Sequence, residues 1–319
     1  MVLAQTCQTS GMSTVRSALL SGARRLPGQN ASRSEAEILL ASVLGKTRAW
    51  VIAHANDSID DDSATAYKAL IDRRAHGEPV AYLTGTRGFH ALELHVTPDV
   101  LIPRPETELL VELALARIPV RSPDEAAQRR NPGQRAESHP DSAALHPGYA
   151  VADLGTGSGA IALSIAQARP QARVVATDSS EAALRVAQEN ANRVGLRNVE
   201  FRLGNWCAAL GEACFDLIVS NPPYIAGDDP HLGEGDLRFE PRAALASGVD
   251  GLDAIRSIVR DARARLCAGG WLLLEHGFDQ GPAVRDLLTA HGYAEVFTER
   301  DLEGRDRVSG GRAARLSSG

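Results

Sequence analysis

From Ser13 to about His76, apolar residues recur at three- and four-residue steps behind Ser13, Ser34 and Asp60, side chains suited to starting helices. Leu19, Leu20, Ile38, Leu39, Val43, Leu44, Val51, Ile52, Leu70 and Ile71 are the expected core of a small all-helical module over residues 13–84. Residues 1–12 lack any such period and are expected to be disordered. Between Gly85 and Val100 the texture changes. Phe89 and the alternating Leu92, Leu94 and Val96 predict a short hairpin over 85–100 that links this module to the rest. In the following run, Pro103 and Pro105 hold off a helix until Glu106, after which Leu109, Leu110 and Val111 begin one.

Residues 121–148 are rich in Arg, Pro, Ser, Ala and His without a period and predict a flexible insertion. Beyond it, β-rich runs at Val151–Leu154, Arg173–Thr177, Val199–Leu203, Phe215–Ser220 and Trp271–Leu274 alternate with helical stretches at Ile161–Ala168, Glu181–Val194 and Ala254–Leu266. Strands that are apolar almost throughout, separated by helices, imply a parallel sheet covered on both faces. Tyr293–Thr298 and Val308–Arg312 predict an antiparallel pair at one sheet edge.

Composition narrows the function classes. The 319 residues are 44% apolar, and 40 acidic against 34 basic residues leave a net charge of −6. That balance argues against a broad duplex-binding face and direct nucleic-acid binding. No apolar run approaches a membrane span, and no early basic cluster precedes an apolar stretch. Cys7, Cys207, Cys214 and Cys267 show no metal or framework spacing and read as free thiols of a reducing compartment, so the expected location is the cytoplasm. Nothing demands more than a monomer. His90 and His95 lack a third ligand, so no metal is expected. The acidic run from Asp60 to Asp62 reads as a helix start.

Chemistry enters at the strand ends. The first strand of the sheet runs into Gly155-Thr156-Gly157-Ser158-Gly159, a turn that lets a ligand approach bare backbone at a helix start. Its spacing differs from the dinucleotide fingerprint and suits a carboxylate-bearing ligand such as S-adenosylmethionine. Asp178, at the end of the second strand, is placed to accept both hydroxyls of a ribose, the other reading being a helix-start device. Trp206, after the third strand, either stacks on or walls in an adenine, or is a core aromatic; Asn205 offers a carbonyl to an exocyclic amine. Arg104 and Glu106 form an ion pair in a loop over the cofactor or lie in a solvated turn.

The fourth strand ends in Asn221-Pro222-Pro223-Tyr224. An amide or aromatic-amine nitrogen is a poor nucleophile because its lone pair is delocalised. Methylating it calls for two acceptors that hold both N–H hydrogens and turn the lone pair to the methyl group. Asn221 supplies a side-chain oxygen and the backbone near Pro222 a carbonyl. The prolines fix the backbone, and Tyr224 gives a flat face for a planar target. The alternative for Pro-Pro is a plain loop turn.

These residues together resemble the bacterial peptide chain release factor glutamine methyltransferases. The resemblance runs through Tyr82–Gly85, Gly88-Phe89, Leu101–Glu108, Asp153–Ile161, Asn221–Ile225, Phe239–Leu245, Gly251-Leu252, Glu275–Gly277 and Arg300–Arg307. It implies an α/β fold, a seven-stranded Rossmann-like methyltransferase sheet, mostly parallel with one antiparallel edge strand, over residues 101–319, beside a small N-terminal helical bundle that helps to hold the substrate. It implies transfer of a methyl group from S-adenosylmethionine to N5 of the glutamine in the Gly-Gly-Gln motif of class 1 translation release factors, leaving S-adenosylhomocysteine. In the family, positions matching Gly155–Gly159, Asp178, Trp206 and Asn221 bind the cofactor, and those matching Asn221–Tyr224 bind the glutamine. Asn205 stands where the family usually has an acidic residue, residues 121–148 exceed the usual connection, and the tail Arg315–Gly319 is not aromatic-rich. The alternative that the residues leave open is an exocyclic-amine methyltransferase acting on adenine or guanine in nucleic acid, whose target Asn-Pro-Pro-Tyr would suit equally well.

Overall fold

The computed structural model describes residues 14–27, 29–118 and 148–314. The expectations for residues 1–12, for 121–147 and for the last five residues, and the thiol of Cys7, lie outside the described residues. The chain divides into two compact units, one ending at Gly85 and the other beginning at Thr86.

The first unit is helical: α1 (Val15–Arg25), α2 (Gln29–Leu44), α3 (Arg48–Ala53), α4 (Asp61–Ala75) and the short α5 (Val80–Thr84). Thr14 and Ser17 close a reciprocal capping box on α1, and Asp60 caps α4 by accepting from the Ser63 N–H at 2.7 Å. Ser34 does not start a helix; it lies inside α2, which the pairing of Arg33 with the buried Glu37 carries upstream. Val15, Leu39, Leu40, Val51, Tyr67 and Ile71 form the core. Leu20, Ile38 and Ile52, expected there, are exposed because they fall on the outer faces of α1, α2 and α3.

The second unit opens with a hairpin, β1 (Thr86–Phe89) and β2 (Leu92–His95), which groups with the sheet rather than with the helices. A 3-10 turn at Pro105–Thr107 leads into α6 (Glu108–Arg117). Then follow β3 (Ala150–Leu154), α7 (Ala160–Ala168), β4 (Arg173–Asp178), α8 (Glu181–Val194), β5 (Val199–Leu203), β6 (Phe215–Ser220), α9 (Asp253–Ala262), β7 (Leu266–Glu275), α10 (Gly281–Ala290), β8 (Tyr293–Arg300) and β9 (Asp306–Ala313). The seven strands are ordered β5-β4-β3-β6-β7-β9-β8, parallel except for β9, which runs opposite to β7 and β8 and lies one place in from the edge.

Side chains alternate across the sheet. Val151, Val174, Leu217, Val219 and Leu273 pack on the face covered by α6 and α7; Ala152, Val175, Ile218, Leu272 and Leu274 pack on the face covered by α9 and α10. The hairpin is tied down by Asn190 of α8, whose side-chain oxygen accepts from the His95 N–H at 2.6 Å and whose amide donates to the carbonyls of His95 and Ser158, both at 2.9 Å.

In the second unit two expectations need correction, and one helix goes beyond them. The helix at 254–266 stops at Ala262, because Leu266 is drawn into the sheet opposite Phe215, whose N–H donates to Arg265. Helix α10 was not foreseen; its Pro282 start and buried Val284 and Leu288 give too short an apolar signal. Cys214 and Cys267 are joined in a disulfide, with Cα atoms 5.1 Å apart, and Cys207 is a free, buried thiol. Spacing along the chain hid the pair, 53 residues apart; parallel pairing of β6 with β7 brings the two together at the amino ends of the strands.

Candidate active site

Because β4 flanks β3 on one side and β6 on the other, the winding of the sheet reverses between β3 and β6. Helices leave opposite faces on either side of such a point, and a crevice opens beyond the carboxyl ends of the strands. Two chain corners border it, one after β3 and one after β6.

The first corner is Gly155–Gly159. Gly155, Gly157 and Gly159 take φ of +73°, +55° and +85°, a left-handed path that side chains disfavour. The N–H groups of Gly155 and Thr156 both donate to the carbonyl of Thr177, at 2.9 Å, pinning the loop to β4. Buried Asp153 holds it from below: its Oδ2 accepts from the Thr156 hydroxyl at 2.7 Å and from the Ala162 N–H in the first turn of α7 at 3.1 Å. Its Oδ1 has no partner, and burial pushes the carboxyl up to about 7. Asp178 accepts from the Gly157 N–H through Oδ2 and from the Ser180 N–H through Oδ1, each at 2.9 Å. A carboxylate has about four acceptor positions, so two remain free for hydroxyl donors.

The cleft over this loop has a volume of about 210 Å³ and is lined by Gly155, Gly157, Asp178, Asn205, Trp206, Asn221 and Pro223 among others. A Cβ built on Gly157 meets nothing within 4 Å, so its backbone lies bare to a ligand. Trp206 has φ of +46°, an outlier for so bulky a residue. Its ring lies 3.0 Å from where a Cβ of Gly155 would sit, and it also packs against the apolar core below. The two sequence readings of Trp206, cleft wall and core aromatic, thus describe one side chain. Thr156 and Ser158 are buried and do not line the cleft, and Gly159 packs on Leu163 and Ala187 at the head of α7.

The second corner is Asn221–Tyr224. Ser220 anchors it, donating its hydroxyl to the Leu154 carbonyl at 2.6 Å and so locking the two strand ends together. The Asn221 amide Nδ2 donates to the Thr107 hydroxyl oxygen at 3.2 Å, which leaves the Asn221 Oδ1 as an acceptor. The Tyr224 phenol donates to Glu275 Oε1 at 3.4 Å, and the Tyr224 carbonyl accepts from Gln280 Nε2 at 3.0 Å. Gly251, with φ of +79°, passes so close to that carbonyl that a Cβ would lie 2.2 Å from it. A second hollow of about 60 Å³ lies among Leu101, Arg104, Asn221, Pro222, Pro223, Tyr224 and Leu245. It shares Leu101, Asn221, Pro223 and Ala244 with the larger cleft, so one corner helps to wall two adjoining spaces.

Arg104 does not pair with Glu106. It pairs with buried Glu240, which also accepts from the Ile102 N–H at 3.1 Å; burial pushes the Glu240 carboxyl up against the pull of Arg104. This fastens the Leu101–Pro105 run to the loop carrying Ala243 and Ala244 at the cleft mouth. Sequence reasoning missed Thr107 and Glu275 as members of the site. Both stood only inside longer stretches of resemblance; a lone acid closing the apolar run Trp271–Leu274 was the available signal. No cluster able to hold a metal ion occurs among the described residues.

Residues 17–85 match the family model described as the PrmC N-terminal domain, and residues 142–234 that of the methyltransferase small domain. The release factor glutamine methyltransferase of Xylella fastidiosa strain Temecula1 is 52% identical over 280 residues, covering 88% of this chain and 93% of the relative. The chain belongs to the release factor glutamine methyltransferase family. The family member from Burkholderia pseudomallei is 47% identical over 308 residues, covering 94% of this chain and 99% of the relative. Among solved structures, the catalytic domain of hMettl16 shares the fold, with a TM-score of 0.50 at 14% identity over 80% of this chain and 82% of that one. The match to the PrmC N-terminal domain falls within the helical first unit, and the second unit carries a sheet that is mostly parallel with one reversed strand.

Proposed function

We propose that this chain transfers a methyl group from S-adenosylmethionine to N5 of the glutamine in the Gly-Gly-Gln motif of class 1 translation release factors, and that it does so in the cytoplasm. One observation carries the reading: the Asn221 carbonyl oxygen is left free at the corner shared by the larger cleft and the smaller hollow. Family membership supports the same substrate.

The residues present fit the cofactor. Bare backbone at Gly157 and the start of α7 suit its carboxylate, the two free acceptor positions of Asp178 suit a ribose, and Trp206 walls the place for the adenine. Asn205, exposed at the cleft, is the acceptor left for the exocyclic amine. S-adenosylmethionine supplies a methyl carbon already activated by its sulfonium, so no metal and no strong base are required of the protein. Asn221 Oδ1 and the Pro222 backbone carbonyl accept the two N–H hydrogens of the target amide. Pro222 and Pro223 keep competing donors away, and Tyr224 packs on the planar carboxamide. With both hydrogens held, the nitrogen lone pair has one direction left, and positioning at about 3 Å supplies much of the rate. The methylated nitrogen is acidic and sheds its proton afterwards.

The test offers purified release factor, or nucleic acid in its place, together with cofactor carrying a labelled methyl group. Label enters the release factor and is absent from a release factor whose motif glutamine is alanine. Label that persists in that variant, or that enters nucleic acid instead, sinks the reading.

A further inference from the structure

The clamp at Asn221 and Pro222 takes the two N–H hydrogens of the target amide and leaves its carbonyl oxygen unassigned. Beside the clamp lies the hollow of about 60 Å³, walled mostly by leucine, proline and alanine. A carbonyl moved from water into such a space without a donor costs free energy, so a site built for a carboxamide has to supply one.

Three side chains that line the hollow can donate: Arg104, Asn221 and Tyr224. Two are committed elsewhere, Asn221 Nδ2 to the Thr107 hydroxyl at 3.2 Å and the Tyr224 phenol to Glu275 at 3.4 Å. Arg104 has donors to spare. A guanidinium carries five N–H groups. Among the described residues the one hydrogen-bond partner of this side chain is Glu240, and 30% of its surface stays open on a wall of the hollow.

Glu240 makes this a fixed donor. Its carboxylate is fully buried, with one oxygen on Arg104 and the other accepting from the Ile102 N–H at 3.1 Å. A planar fork already held on one side loses little freedom when its other side binds. The pairing also settles the charge. Methyl transfer from a sulfonium carries positive charge onto the amide nitrogen, and a lone cation nearby would oppose it. Arg104 and Glu240 cancel as a pair, so a strong donor stands beside the reaction without a net charge.

We propose that Arg104 recognises the target glutamine: its guanidinium, held by Glu240, donates to the side-chain carbonyl oxygen while Asn221 and Pro222 accept from the N–H hydrogens. The proposal rests on the reaction assigned above and names what selects its substrate. A carboxylate in the same place has no hydrogens for Asn221 and Pro222, and an alkyl amine has no oxygen for Arg104. The two halves together select an amide.

The experiment measures binding of purified release factor to the full chain loaded with S-adenosylhomocysteine, which permits no turnover. Release factor with its motif glutamine, and release factor whose motif glutamine is leucine, are each offered to wild type and to Arg104→Met, closing a double-mutant cycle. Wild type binds the glutamine form about ten- to a hundredfold more tightly than Arg104→Met does, the range for a hydrogen bond to a charged group. The leucine form binds the two proteins within about threefold of each other on the same basis. Arg104→Met also leaves Glu240 buried without its partner, which lowers the melting temperature. Adding Glu240→Gln removes that charge: the melting temperature recovers, and the preference for glutamine stays lost. An Arg104→Met that weakens both release factors equally, or a double variant that regains the preference, shows that Arg104 only braces its loop and overturns the proposal. A wild type that transfers no methyl group from S-adenosylmethionine to release factor sinks the assigned reaction itself, and this role falls with it. An active wild type with no coupling between Arg104 and the glutamine overturns the role of Arg104 alone.

Discussion

The corner after β3 and the corner after β6 sit side by side at the carboxyl ends of adjacent strands, and they are built from opposite materials. At Gly155–Gly159 the shape comes from the backbone: three left-handed glycines, two N–H groups tied to Thr177, and carboxylates of Asp153 and Asp178 that accept from neighbouring backbone. At Asn221–Tyr224 the shape comes from prolines and from side chains that arrive from distant parts of the chain, Thr107, Glu275 and Gln280. On the proposed reading, the first is a local device that binds and the second a long-range device that aims. Damage to the first should therefore appear in cofactor affinity, and damage to the second in the rate at saturating cofactor.

The sharpest break of that contrast is Asn221→Ala. It removes the acceptor that turns the target amide, and turnover should drop by about a thousandfold, the upper range for loss of one polar group that acts in the transition state. The cofactor cleft keeps Asp178, Trp206 and the glycine loop, so affinity for S-adenosylmethionine should weaken by less than about tenfold on the same basis. Single-turnover rates and calorimetry on one preparation separate the two. Near-normal turnover in this variant would remove the amide clamp from consideration.

Trp206→Ala is the mirror experiment in the first corner. If the adenine rests on this wall as proposed, its loss should raise the cofactor dissociation constant about ten- to a hundredfold, from a stacking contribution of about 1–3 kcal/mol. The rate at saturating cofactor should stay within about threefold, because no group that holds the target amide has changed. A large fall in the saturated rate with unchanged affinity would mean that the two corners do not divide the work in this way.

The contrast also explains what could be read from the chain alone. Glycine spacing, Asp178 at a strand end and the Asn-Pro-Pro-Tyr run are local patterns, and strand alternation in the sequence is enough to place all of them at one end of the sheet. Thr107 and Glu275 could not be assigned in that way, because each is an ordinary residue until the fold sets it beside Asn221 or Tyr224, which are 114 and 51 residues away from them in sequence. The same holds for the link between Arg104 and Glu240, and for Cys214 with Cys267. Leu266 failed for a related reason: its helical spacing was sound locally, but pairing with Phe215 outweighed it.

Stability should carry the imprint of the two buried carboxyls, one under each corner. Asp153 and Glu275 are both raised to about 7, from ordinary values of 3.8 and 4.5, by burial before any other cause. A carboxyl whose folded value lies above its unfolded one favours folding of the protonated form. The stability it contributes is full below about pH 4 and is lost as pH rises through 7. At Glu275 the charged form is disfavoured by about 3 kcal/mol, taking 1.36 kcal/mol for each pH unit. Melting temperatures of wild type and Glu275→Gln should thus be similar near pH 5, with the variant gaining steadily towards pH 8. A gap that narrows as pH rises would show that Glu275 is held ionised in the fold.

The smallest effect belongs to the other end of the sheet. Cys214 and Cys267 lie where β6 and β7 begin, and Asn221 lies just beyond the last residue of β6. Seven residue steps of extended chain put about 23 Å between Cys214 and Asn221 at about 3.3 Å per residue. Between the two ends run Leu217, Ile218 and Val219, all fully buried and packed on both faces. Opening the disulfide removes a constraint chiefly from the unfolded chain, so it should lower the melting temperature. It should leave both the turnover and the cofactor affinity within about twofold, since neither corner draws a single hydrogen bond from that end. Activity and melting curves with and without reductant, and for Cys214→Ser with Cys267→Ser, check this. A reductant-dependent change in turnover that the double variant abolishes would show that the amino ends of the strands reach the catalytic corner after all, and the division between a local and a long-range device would need a third member.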